Sequence, residues 1–232
     1  MQFSVSFKEG EKNYKTKING VEIMSKTPLY HIVKDFQRYT HFRQIKSDNV
    51  VLDLGSNEGY LSSIFSKLVG DEGQTYSFEP DSKNIKKQES VFELNKIKNK
   101  VDIHETLIWN ENTKVPFNEE GSVGSSAHYM GDGQHITEKE ACTLDSWCEN
   151  NQVSKIDFIK MDIEGAEIEA IEGAKEMINK YQPHFAIASY HVVNGQQTYI
   201  KLEEMFKKID YPFITKRFGN SEIITFAGPG VK

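Results

Sequence analysis

Cysteines, basic tracts and long apolar segments are all scarce in this sequence of 232 residues. The two cysteines, Cys142 and Cys148, lack C-x-x-C spacing, and we expect them to stay reduced thiols in a cytoplasmic protein. No apolar run approaches membrane-spanning length, and residues 1–7 lack the basic and apolar regions of a signal peptide. With 34 acidic against 28 basic side chains, the net charge of −6 gives no electrostatic support for nucleic-acid binding. We therefore expect neither a membrane nor a nucleic acid as a partner.

The sequence does contain a glycine-bounded turn between a predicted strand and a predicted helix. The apolar run Val50–Leu54 is typical of a strand buried on both faces, and residues 60–69 carry apolar side chains at helical spacing. Between them, Gly55 permits a backbone conformation closed to other residues, and Gly59 leaves room for the close approach of a ligand. Because ligands bind at the carboxyl ends of strands in open α/β sheets, we expect a site formed by backbone N–H groups and the Asp53 carboxylate.

The spacing of this turn indicates which ligand it binds. The dinucleotide fingerprint is G-x-G-x-x-G, whereas this turn is G-x-x-x-G and lacks the glycine that admits a pyrophosphate. Glu79 follows Gly59 by about twenty residues, the distance at which such folds place a ribose-binding carboxylate. A ribose-binding carboxylate without a pyrophosphate site favours an unphosphorylated nucleoside, of which S-adenosylmethionine is the commonest cofactor. Asp53 would then lie near the positively charged methionine end of that cofactor.

Several motifs carry a resemblance to a known family. They are V-L-D-L-G-S-N-E-G-Y at 51–60, F-E-P-D at 78–81, T-L-D at 143–145 and I-K-M-D-I-E-G-A-E at 159–167. In this order, the chain resembles the FkbM family of S-adenosylmethionine-dependent methyltransferases, and the last motif narrows the resemblance to that family. The resemblance implies a class I methyltransferase fold in which Thr106 and Leu107 lie beside the adenine ring. Taken with the turn, it implies a cofactor site made of Asp53, Gly55, Ser56, Asn57, Gly59, Tyr60, Glu79, Pro80, Asp81, Asn95, Thr106, Leu107 and Asp162.

The rest of the chain predicts strands that alternate with helices. Strands are expected at 74–78, 101–106, 156–162 and 185–190, helices at 82–95, 166–179 and 198–208, and a closing hairpin at 213–226. Residues 143–147 are expected to open a further short helix, with Thr143 near its cap. This alternation predicts an α/β fold with a Rossmann-like, doubly wound, mostly parallel sheet and a C-terminal antiparallel hairpin. The glycine-rich stretch 109–139 has little periodicity and is expected to be a long loop, part of which closes over the cofactor or acceptor.

Residues 1–46 are expected to form a small N-terminal cap made of a hairpin and a helix. Strands are predicted at 3–7 and 14–23, and Thr27 is predicted as the N-cap of the helix. This cap either covers the sheet and one rim of the pocket, or selects the substrate as a lid or dimer arm. Residues 47–232 are expected to form the methyltransferase domain.

The chemistry of methyl transfer directs attention to the end of the strand predicted at 156–162. A hydroxyl acceptor loses a proton, so that a general base or a metal ion assists the reaction. Asp162 is the candidate carboxylate near the transferring methyl group, and its alternative role is to cap the following helix. Lys160 is expected either to bind an anionic acceptor or to pair with Glu164, and Glu164 is expected to orient the loop.

Histidines are the other candidate proton acceptors. His191 follows the last parallel strand and is predicted to act as a lone base or hydrogen-bonding group, the alternative being a partly exposed loop residue. FkbM proteins commonly have Glu-x-His at this point, whereas Ser189 replaces the glutamate here. His128 and His135 are expected to be solvated loop residues. We predict no metal site, although His191 and the two carboxylates named above carry suitable ligand atoms.

The sequence therefore predicts an S-adenosylmethionine-dependent methyltransferase that methylates a hydroxyl group of a small molecule or sugar. Its candidate catalytic residues are Asp162, His191 and Lys160. Two alternatives stay open: a nicotinamide-dependent oxidoreductase, against which the missing glycine argues, and a non-catalytic module that binds S-adenosylmethionine. The sequence carries no signal for the identity of the acceptor or for the oligomeric state.

Overall fold

The computed structural model describes residues 3–130 and 135–231, apart from the side chains of Lys8 and Glu11. The strands are β1 (Phe3–Lys8), β2 (Asn13–Ile18), β3 (Val21–Ser25), β4 (Val50–Leu54), β5 (Gln74–Phe78), β6 (Val101–His104), β7 (Leu107–Ile108), β8 (Thr113–Asn118), β9 (Ile136–Cys142), β10 (Phe158–Met161), β11 (His184–Ala188), β12 (Val192–Val193), β13 (Gln196–Gln197), β14 (Phe213–Phe218) and β15 (Glu222–Ala227). The helices are α1 (Tyr30–Tyr39), α2 (Tyr60–Val69), α3 (Ser82–Leu94), α4 (Leu144–Asn150), α5 (Glu167–Glu172), α6 (Lys175–Tyr181) and α7 (Thr198–Lys208). None of these helices is long and apolar enough to cross a membrane.

A seven-stranded sheet forms the centre of the fold, with the strands in the order β14-β15-β11-β10-β4-β5-β6. The five strands from β11 to β6 are parallel, and β15 and β14 complete the sheet in antiparallel orientation. The chain runs from β4 outward to β6 and then returns to β10 on the other side of β4. This order confirms the predicted α/β sheet with its C-terminal hairpin. It also places a topological switch point between β4 and β10, where open α/β sheets bind their ligands.

The two faces of the central sheet are covered by different apolar clusters. On one face, Phe158 of β10 packs with Phe36 of α1 and Phe65 of α2. The next residue, Ile159, points to the opposite face and packs in the cluster beneath α4 to α7. Cys148 belongs to that second cluster as a free thiol, as predicted. Because both faces are buried, the central parallel strands β4, β10 and β11 are apolar at most positions.

The N-terminal segment contains one strand more than predicted. The turn at Asn19-Gly20, where φ is 46° and 89°, divides the predicted strand 14–23 into β2 and β3, so that β1, β2 and β3 form an antiparallel sheet. The helix α1 follows as predicted, but it has no side-chain N-cap. The carbonyl oxygen of Thr27 accepts a hydrogen bond from Ser25 Oγ at 2.6 Å. The prediction that Thr27 caps the helix is therefore wrong.

Residues 113–118 and 136–139 of the stretch 109–139 belong to a small sheet, and the prediction of a long loop is wrong for them. Strand β9 pairs antiparallel with β8 and parallel with β7. Val115 and Phe117 alternate with more polar neighbours and belong to the apolar cluster of this sheet. Pro116 is tolerated because β8 is an edge strand. Two apolar positions are too few to predict a strand from periodicity. Residues 131–134 of the predicted loop lie outside the described residues.

The predicted helix 166–179 consists of two helices, α5 and α6, with Gly173 between them. A Cβ atom built on Gly173 would lie 2.3 Å from the carbonyl oxygen of Trp109. The backbone at this point therefore approaches the segment after β7 too closely for any side chain. This contact divides the helix and packs the small sheet against the central one.

Candidate active site

A cavity of about 200 Å³ lies at the carboxyl ends of β4, β5 and β10, beside the switch point. Its walls come from the crossover after β4, the segment after β5, the small sheet and α1. The predicted site residues that line it are Gly55, Ser56, Asn57, Tyr60, Glu79, Pro80, Thr106, Leu107, Lys160 and Asp162. The predicted residues that do not line it are Asp53, Gly59, Asp81, Asn95 and His191. The fold therefore brings most of the predicted residues to one place.

Glu79 presents a fixed carboxylate to the cavity. Its Oε2 accepts a hydrogen bond from the N–H of Asn57 at 2.8 Å, and its Oε1 accepts one from the N–H of Asp81 at 3.0 Å. The residue is only 4% exposed. Burial raises the pKa of Glu79 to about 7, although these backbone hydrogen bonds oppose the shift. Oε1 also accepts a long hydrogen bond from Asn84 Nδ2 at 3.5 Å, whereas Oε2 keeps a lone pair with which it can accept a further hydrogen bond.

The backbone N–H groups at the start of the glycine turn are used within the protein. Those of Gly55 and Ser56 both donate to the carbonyl oxygen of Phe78, at 3.0 and 3.1 Å. The expectation that these groups face a ligand is therefore wrong. Gly55, with φ of 73°, is required for another reason, because a Cβ atom there would lie 1.8 Å from the carbonyl oxygen of Asp162. The turn shapes the cavity by its tight packing against the segment after β10.

Gly59 also serves internal packing. Its φ is 77°, and a Cβ atom built on it would lie 2.7 Å from the ring of Phe92 and 3.0 Å from the side chain of Gln88. The space that Gly59 leaves is therefore filled by α3, and the prediction that it admits a ligand is wrong. The residue allows α2 and α3 to pack closely next to the cavity.

Asp53 and Lys160 form a buried ion pair below the glycine turn. Lys160 Nζ lies 3.1 Å from Asp53 Oδ1, and it donates to the carbonyl oxygens of Leu54 and Gly55 at 3.2 and 2.6 Å. Asp53 also accepts a hydrogen bond from Ser62 Oγ at 2.6 Å. Burial alone would lower the pKa of Lys160, but the carboxylates of Asp53 and Asp162 raise it above its ordinary value.

This pairing corrects the predictions for both residues. Asp53 is fully buried and already neutralised, so it does not face the cavity as the expected partner of a cationic group. Lys160 pairs with Asp53 rather than with Glu164, and it donates two hydrogen bonds to backbone carbonyl groups. Its ammonium charge is therefore already compensated by Asp53, which disfavours the predicted role of binding an anionic acceptor. The pair holds β10 and β4 together at the edge where the cavity opens.

Asp81 and Asn95 are likewise used for internal contacts. Asp81 caps α3 through the N–H groups of residues 83 and 84, and its other oxygen accepts hydrogen bonds from Gly121 N–H and Ser125 Oγ, both at 2.6 Å. It therefore tethers the segment around Gly121 over the cavity. Asn95 exchanges two hydrogen bonds with the backbone of Met24, at 2.8 and 2.9 Å. Neither side chain lines the cavity, so the prediction that they contact the cofactor is wrong.

Asp162 lies at the end of β10 with its carboxylate at the cavity. The hydroxyl of Tyr39 donates a hydrogen bond to its Oδ2 at 2.8 Å. The N-cap of α5 is Ala166, so the alternative that Asp162 caps the following helix is wrong. Burial raises the pKa of Tyr39, and the charge of Asp162 raises it further, so that the phenol stays protonated as a donor. Tyr39 was not predicted as a site residue. The only sequence signal for it is its spacing of three from Phe36, which continues the buried face of α1.

Three further residues of α1, namely His31, Ile32 and Asp35, also line the cavity. They were not predicted either, because no motif marks the N-terminal segment. Their side chains combine charged and apolar character on one wall. This wall is thus contributed by residues that precede the glycine turn in the chain.

His191 lies beneath the carboxylates of the segment after β10. Its Nε2 lies 3.4 Å from Glu164 Oε2 and 3.6 Å from Asp162 Oδ1, and its Nδ1 lies 3.0 Å from Glu167 Oε1. It is 5% exposed, so the alternative of a partly exposed loop residue is wrong. Burial would lower the pKa of His191, but the nearby carboxylates of Glu164, Glu167 and Asp162 outweigh it and raise the pKa to about 11. At neutral pH this imidazole is charged and has no lone pair with which to act as a base.

Glu167 is a further functional candidate that the sequence analysis missed. Its side chain is fully buried, and its Oε1 accepts hydrogen bonds from the N–H groups of Ile163 and Gly165, at 3.3 and 3.2 Å. The turn that makes this possible contains two left-handed residues, Glu164 at φ 53° and Gly165 at φ 104°. The available signal was the final glutamate of the motif at 159–167, which lies too close to a helix start to be distinguished from an ordinary first-turn acid.

The two loop histidines differ from each other. His128 Nε2 lies 3.3 Å from Glu169 Oε1, and its ring packs against Trp109 with the centroids 5.5 Å apart. It is half-buried, and the hydrogen bond with Glu169 raises its pKa although burial opposes this. His128 is therefore not a solvated loop residue, whereas His135 is exposed as expected. Neither residue lines the cavity.

Comparison with known proteins gives relatives of this chain. The chain is 28% identical over 153 residues to the 2-O-methyltransferase NoeI of Sinorhizobium fredii (strain NBRC 101917 / NGR234), a match that covers 58% of this chain and 61% of NoeI. The chain thus spans about three fifths of the length of this relative.

Solved structures confirm the predicted class I methyltransferase fold. Methyltransferase FkbM from Methylobacillus flagellatus KT superposes with a TM-score of 0.58 and 18% identity, over 85% of this chain and 52% of that chain. Aeropyrum pernix fibrillarin, solved with natively bound S-adenosyl-L-methionine, superposes with a TM-score of 0.51 and 11% identity, over 98% and 99% of the two chains. A family model described as the methyltransferase FkbM domain matches residues 53–218. The chain therefore belongs to the FkbM methyltransferase domain family.

Proposed function

We propose that this chain transfers a methyl group from S-adenosylmethionine to a hydroxyl oxygen of a small molecule or sugar. Membership of the FkbM family supports methyl transfer, and the relative NoeI, a 2-O-methyltransferase, supports oxygen as the acceptor atom. The observation that carries the proposal is Glu79, a buried carboxylate that two backbone N–H groups hold at the wall of the cavity.

The residues around the cavity fit the parts of this cofactor. The carboxylate of Glu79 accepts hydrogen bonds from the ribose hydroxyls. Leu107 and Phe117 form an apolar wall for the planar adenine ring, next to Thr106. The negative charge of Asp162 favours the cationic methionine end. The cofactor supplies an electrophilic methyl group on a positively charged sulfur.

The acceptor lies on the side of the cavity formed by α1 and β10. His31 and Asp35 supply polar groups for acceptor hydroxyls, and Ile32 supplies apolar surface. Holding the reacting atoms in line contributes several kcal/mol to the rate. The acceptor hydroxyl also loses a proton, and nearby negative charge favours that loss. Asp162 provides this charge, either by accepting the proton or by holding a cation that stabilises the resulting oxyanion.

Calorimetric titration with S-adenosylhomocysteine tests the ribose assignment. Replacing Glu79 by Gln removes hydrogen bonds to a charged acceptor, each of which contributes about 1.5–3 kcal/mol, so binding should weaken at least tenfold. Glu93→Gln, an exposed glutamate on α3, is the matched control and should bind as the wild type does. Circular dichroism verifies that each variant is folded. Wild-type affinity in Glu79→Gln would remove the ribose assignment, and tight binding of NAD in place of S-adenosylhomocysteine would favour the oxidoreductase alternative.

Methyl transfer itself is measured with isotope-labelled cofactor. A panel of mono- and oligosaccharides and hydroxylated small molecules serves as acceptors, and NMR locates the methyl group in the product. We expect the label on an oxygen. Transfer to nitrogen or carbon would contradict O-methylation. Absence of transfer to every acceptor, with S-adenosylhomocysteine binding intact, would favour a non-catalytic binding module.

A further inference from the structure

Asp162, Glu164 and His191 form a compact group at one end of the cavity, called here the carboxylate–histidine cluster. One oxygen of each carboxylate and one ring nitrogen of the histidine all lie within 4.8 Å of one another. The nitrogen, Nε2, is 3.4 Å from Glu164 Oε2 and 3.6 Å from Asp162 Oδ1. Around a metal ion with bonds of about 2.1 Å, neighbouring ligand atoms are about 3.0–3.4 Å apart. Small side-chain shifts therefore suffice to bring all three atoms to bonding distance of one ion.

The histidine of the cluster is held in the orientation that a metal ligand needs. Nδ1 of His191 lies 3.0 Å from Oε1 of the fully buried Glu167, and the backbone turn at Ile163 and Gly165 fixes that carboxylate in turn. A carboxylate behind a histidine orients the ring towards a metal. A metal ion that binds Nε2 displaces the proton that His191 carries in the absence of the metal. This arrangement directs Nε2 towards the two carboxylates that line the cavity.

Two atoms that point into the cluster make no hydrogen bond within the described part of the chain. They are Nε2 of His191 and Oδ1 of Asp162, and both atoms are buried. A buried polar atom without a partner costs about 1–3 kcal/mol and is rare in native proteins. A ligand bound between these two atoms would supply the partner that each lacks.

The charge of the cluster also favours a cation. Three carboxylates, those of Asp162, Glu164 and Glu167, surround a single imidazole. A proton on His191 compensates one of these three negative charges, and the Tyr39 hydroxyl is an uncharged donor. A divalent ion beside a neutral imidazole compensates two of them. The cluster is therefore better neutralised by a metal ion than by a proton.

We propose that Asp162, Glu164 and His191 bind one divalent metal ion of the first transition series. Two carboxylate oxygens and an imidazole nitrogen suit Mn²⁺, Fe²⁺ and Zn²⁺. Asp162 and Glu164 also line the cavity, so the coordination positions left open face the molecules bound there. Activation of an acceptor hydroxyl by the ion rests on the proposed function, whereas metal binding does not. This proposal replaces the sequence prediction of no metal site, which had only the linear spacing of the residues to rest on.

Mn²⁺ is the probe for the test, because electron paramagnetic resonance reports both its binding and its ligands. The chelator-treated full chain should bind one equivalent of Mn²⁺, and pulsed spectra should show coupling to an imidazole nitrogen. His191→Gln should abolish that coupling. Asp162→Asn and Glu164→Gln should each weaken Mn²⁺ binding at least tenfold, and Glu167→Gln, which acts through His191, should weaken it by about 10–100-fold.

A matched control is His128→Gln, since His128 also contacts a glutamate, Glu169, but at a site with one close carboxylate. It should bind Mn²⁺ as the wild type does and keep the nitrogen coupling. The Asp162 and Glu164 side chains are 26% and 25% exposed, so their isosteric amide variants should fold even if the His191 variant does not. Failure of the wild type to bind Mn²⁺, or wild-type affinity in both amide variants, would overturn the metal site.

Parallel titration with S-adenosylhomocysteine separates this proposal from the proposed function. Binding of S-adenosylhomocysteine without binding of Mn²⁺ would refute the metal site alone. Binding of Mn²⁺ without binding of S-adenosylhomocysteine would refute the cofactor assignment alone. Nitrogen coupling that persists in His191→Gln would show that the metal sits elsewhere and would also overturn the site.

Discussion

The two ends of the cavity are held in place by different kinds of contact. At the end formed by β4 and β5, hydrogen bonds of backbone groups fix the positions of Gly55, Ser56 and Glu79. These bonds join residues about 22 positions apart in the chain. At the end formed by β10 and α1, Asp162 is held by the hydroxyl of Tyr39, which lies 123 positions away in the chain. The first end tolerates few changes because its geometry is that of the main chain. The second end can change its chemistry by single side-chain substitutions.

The largest expected loss of unfolding free energy follows from breaking the ion pair of Asp53 with Lys160, which connects the two ends of the cavity. Lys160→Met leaves the fully buried carboxylate of Asp53 without its partner, and breaking a buried pair in this way costs about 3–5 kcal/mol. Urea denaturation should show this loss of unfolding free energy. The double variant Asp53→Asn with Lys160→Met should recover much of it, because no unpaired charge remains.

The same double variant decides whether Lys160 takes part in chemistry. If the recovered protein still transfers methyl groups, Lys160 belongs to the scaffold that the two ends share. If it is stable but inactive, Lys160 acts in the reaction, and the assignment of the ammonium to purely internal contacts is wrong.

The next effect tests the claim that main-chain packing fixes the β4 end. Gly55→Ala places a Cβ atom 1.8 Å from the Asp162 carbonyl oxygen at a positive φ, and strain plus overpacking should cost about 2–5 kcal/mol. Gly219→Ala is the control, because its φ of 64° is similar but nothing lies within 4 Å of the added atom. It should cost only the backbone strain of about 1–2 kcal/mol. Equal urea midpoints for the two variants would contradict the close approach.

The pH dependence of the β5 end follows from Glu79. Burial raises its pKa from 4.5 to about 7, so the folded chain keeps a proton in this window that the unfolded chain has released. The free energy of unfolding should therefore fall as pH rises from 4.5 to 7, and Glu79→Gln should remove this component. Urea titrations of both proteins at several pH values give the difference.

Ligand binding should show the opposite trend from stability. The ionised carboxylate accepts hydrogen bonds from both ribose hydroxyls, so S-adenosylhomocysteine affinity should rise with pH, by roughly tenfold between pH 6 and pH 8 for a group with this pKa. Calorimetry of the wild type beside Glu79→Gln measures it. A flat profile in the wild type would indicate that Glu79 does not contact the ligand.

The difference between the two ends also determines how much the sequence could predict. The strand Val50–Leu54, the caps Asp81 and Thr143, and the carboxylate of Glu79 follow from short-range patterns, because each depends on residues within about one βαβ unit. For the same reason, the alternation of strands and helices along the chain was predictable. These features lie mainly at the β4–β5 end.

What could not be predicted depends on contacts between distant segments. The pair of Asp53 with Lys160 joins two strands whose neighbouring positions in the sheet are fixed only by the complete topology. The pairing of β8 with β9 depends on a register that two apolar residues do not specify. The role of Glu167 depends on a turn with two left-handed residues beneath His191. Such contacts have no periodicity in the sequence, and they dominate the β10 end.

The substitution with the smallest expected effect on stability tests most directly whether the two ends of the cavity act independently. Tyr39→Phe removes the hydrogen bond to Asp162 Oδ2 and should lower the unfolding free energy by about 1 kcal/mol. It should slow methyl transfer, because Asp162 loses its fixed orientation, while S-adenosylhomocysteine affinity stays unchanged. Tyr30→Phe, an exposed tyrosine at the start of the same helix, should change none of these quantities. If Tyr39→Phe weakens cofactor binding as much as Glu79→Gln does, the two ends are coupled. The residues 1–46 would then contribute to the cofactor site and not only to the acceptor side.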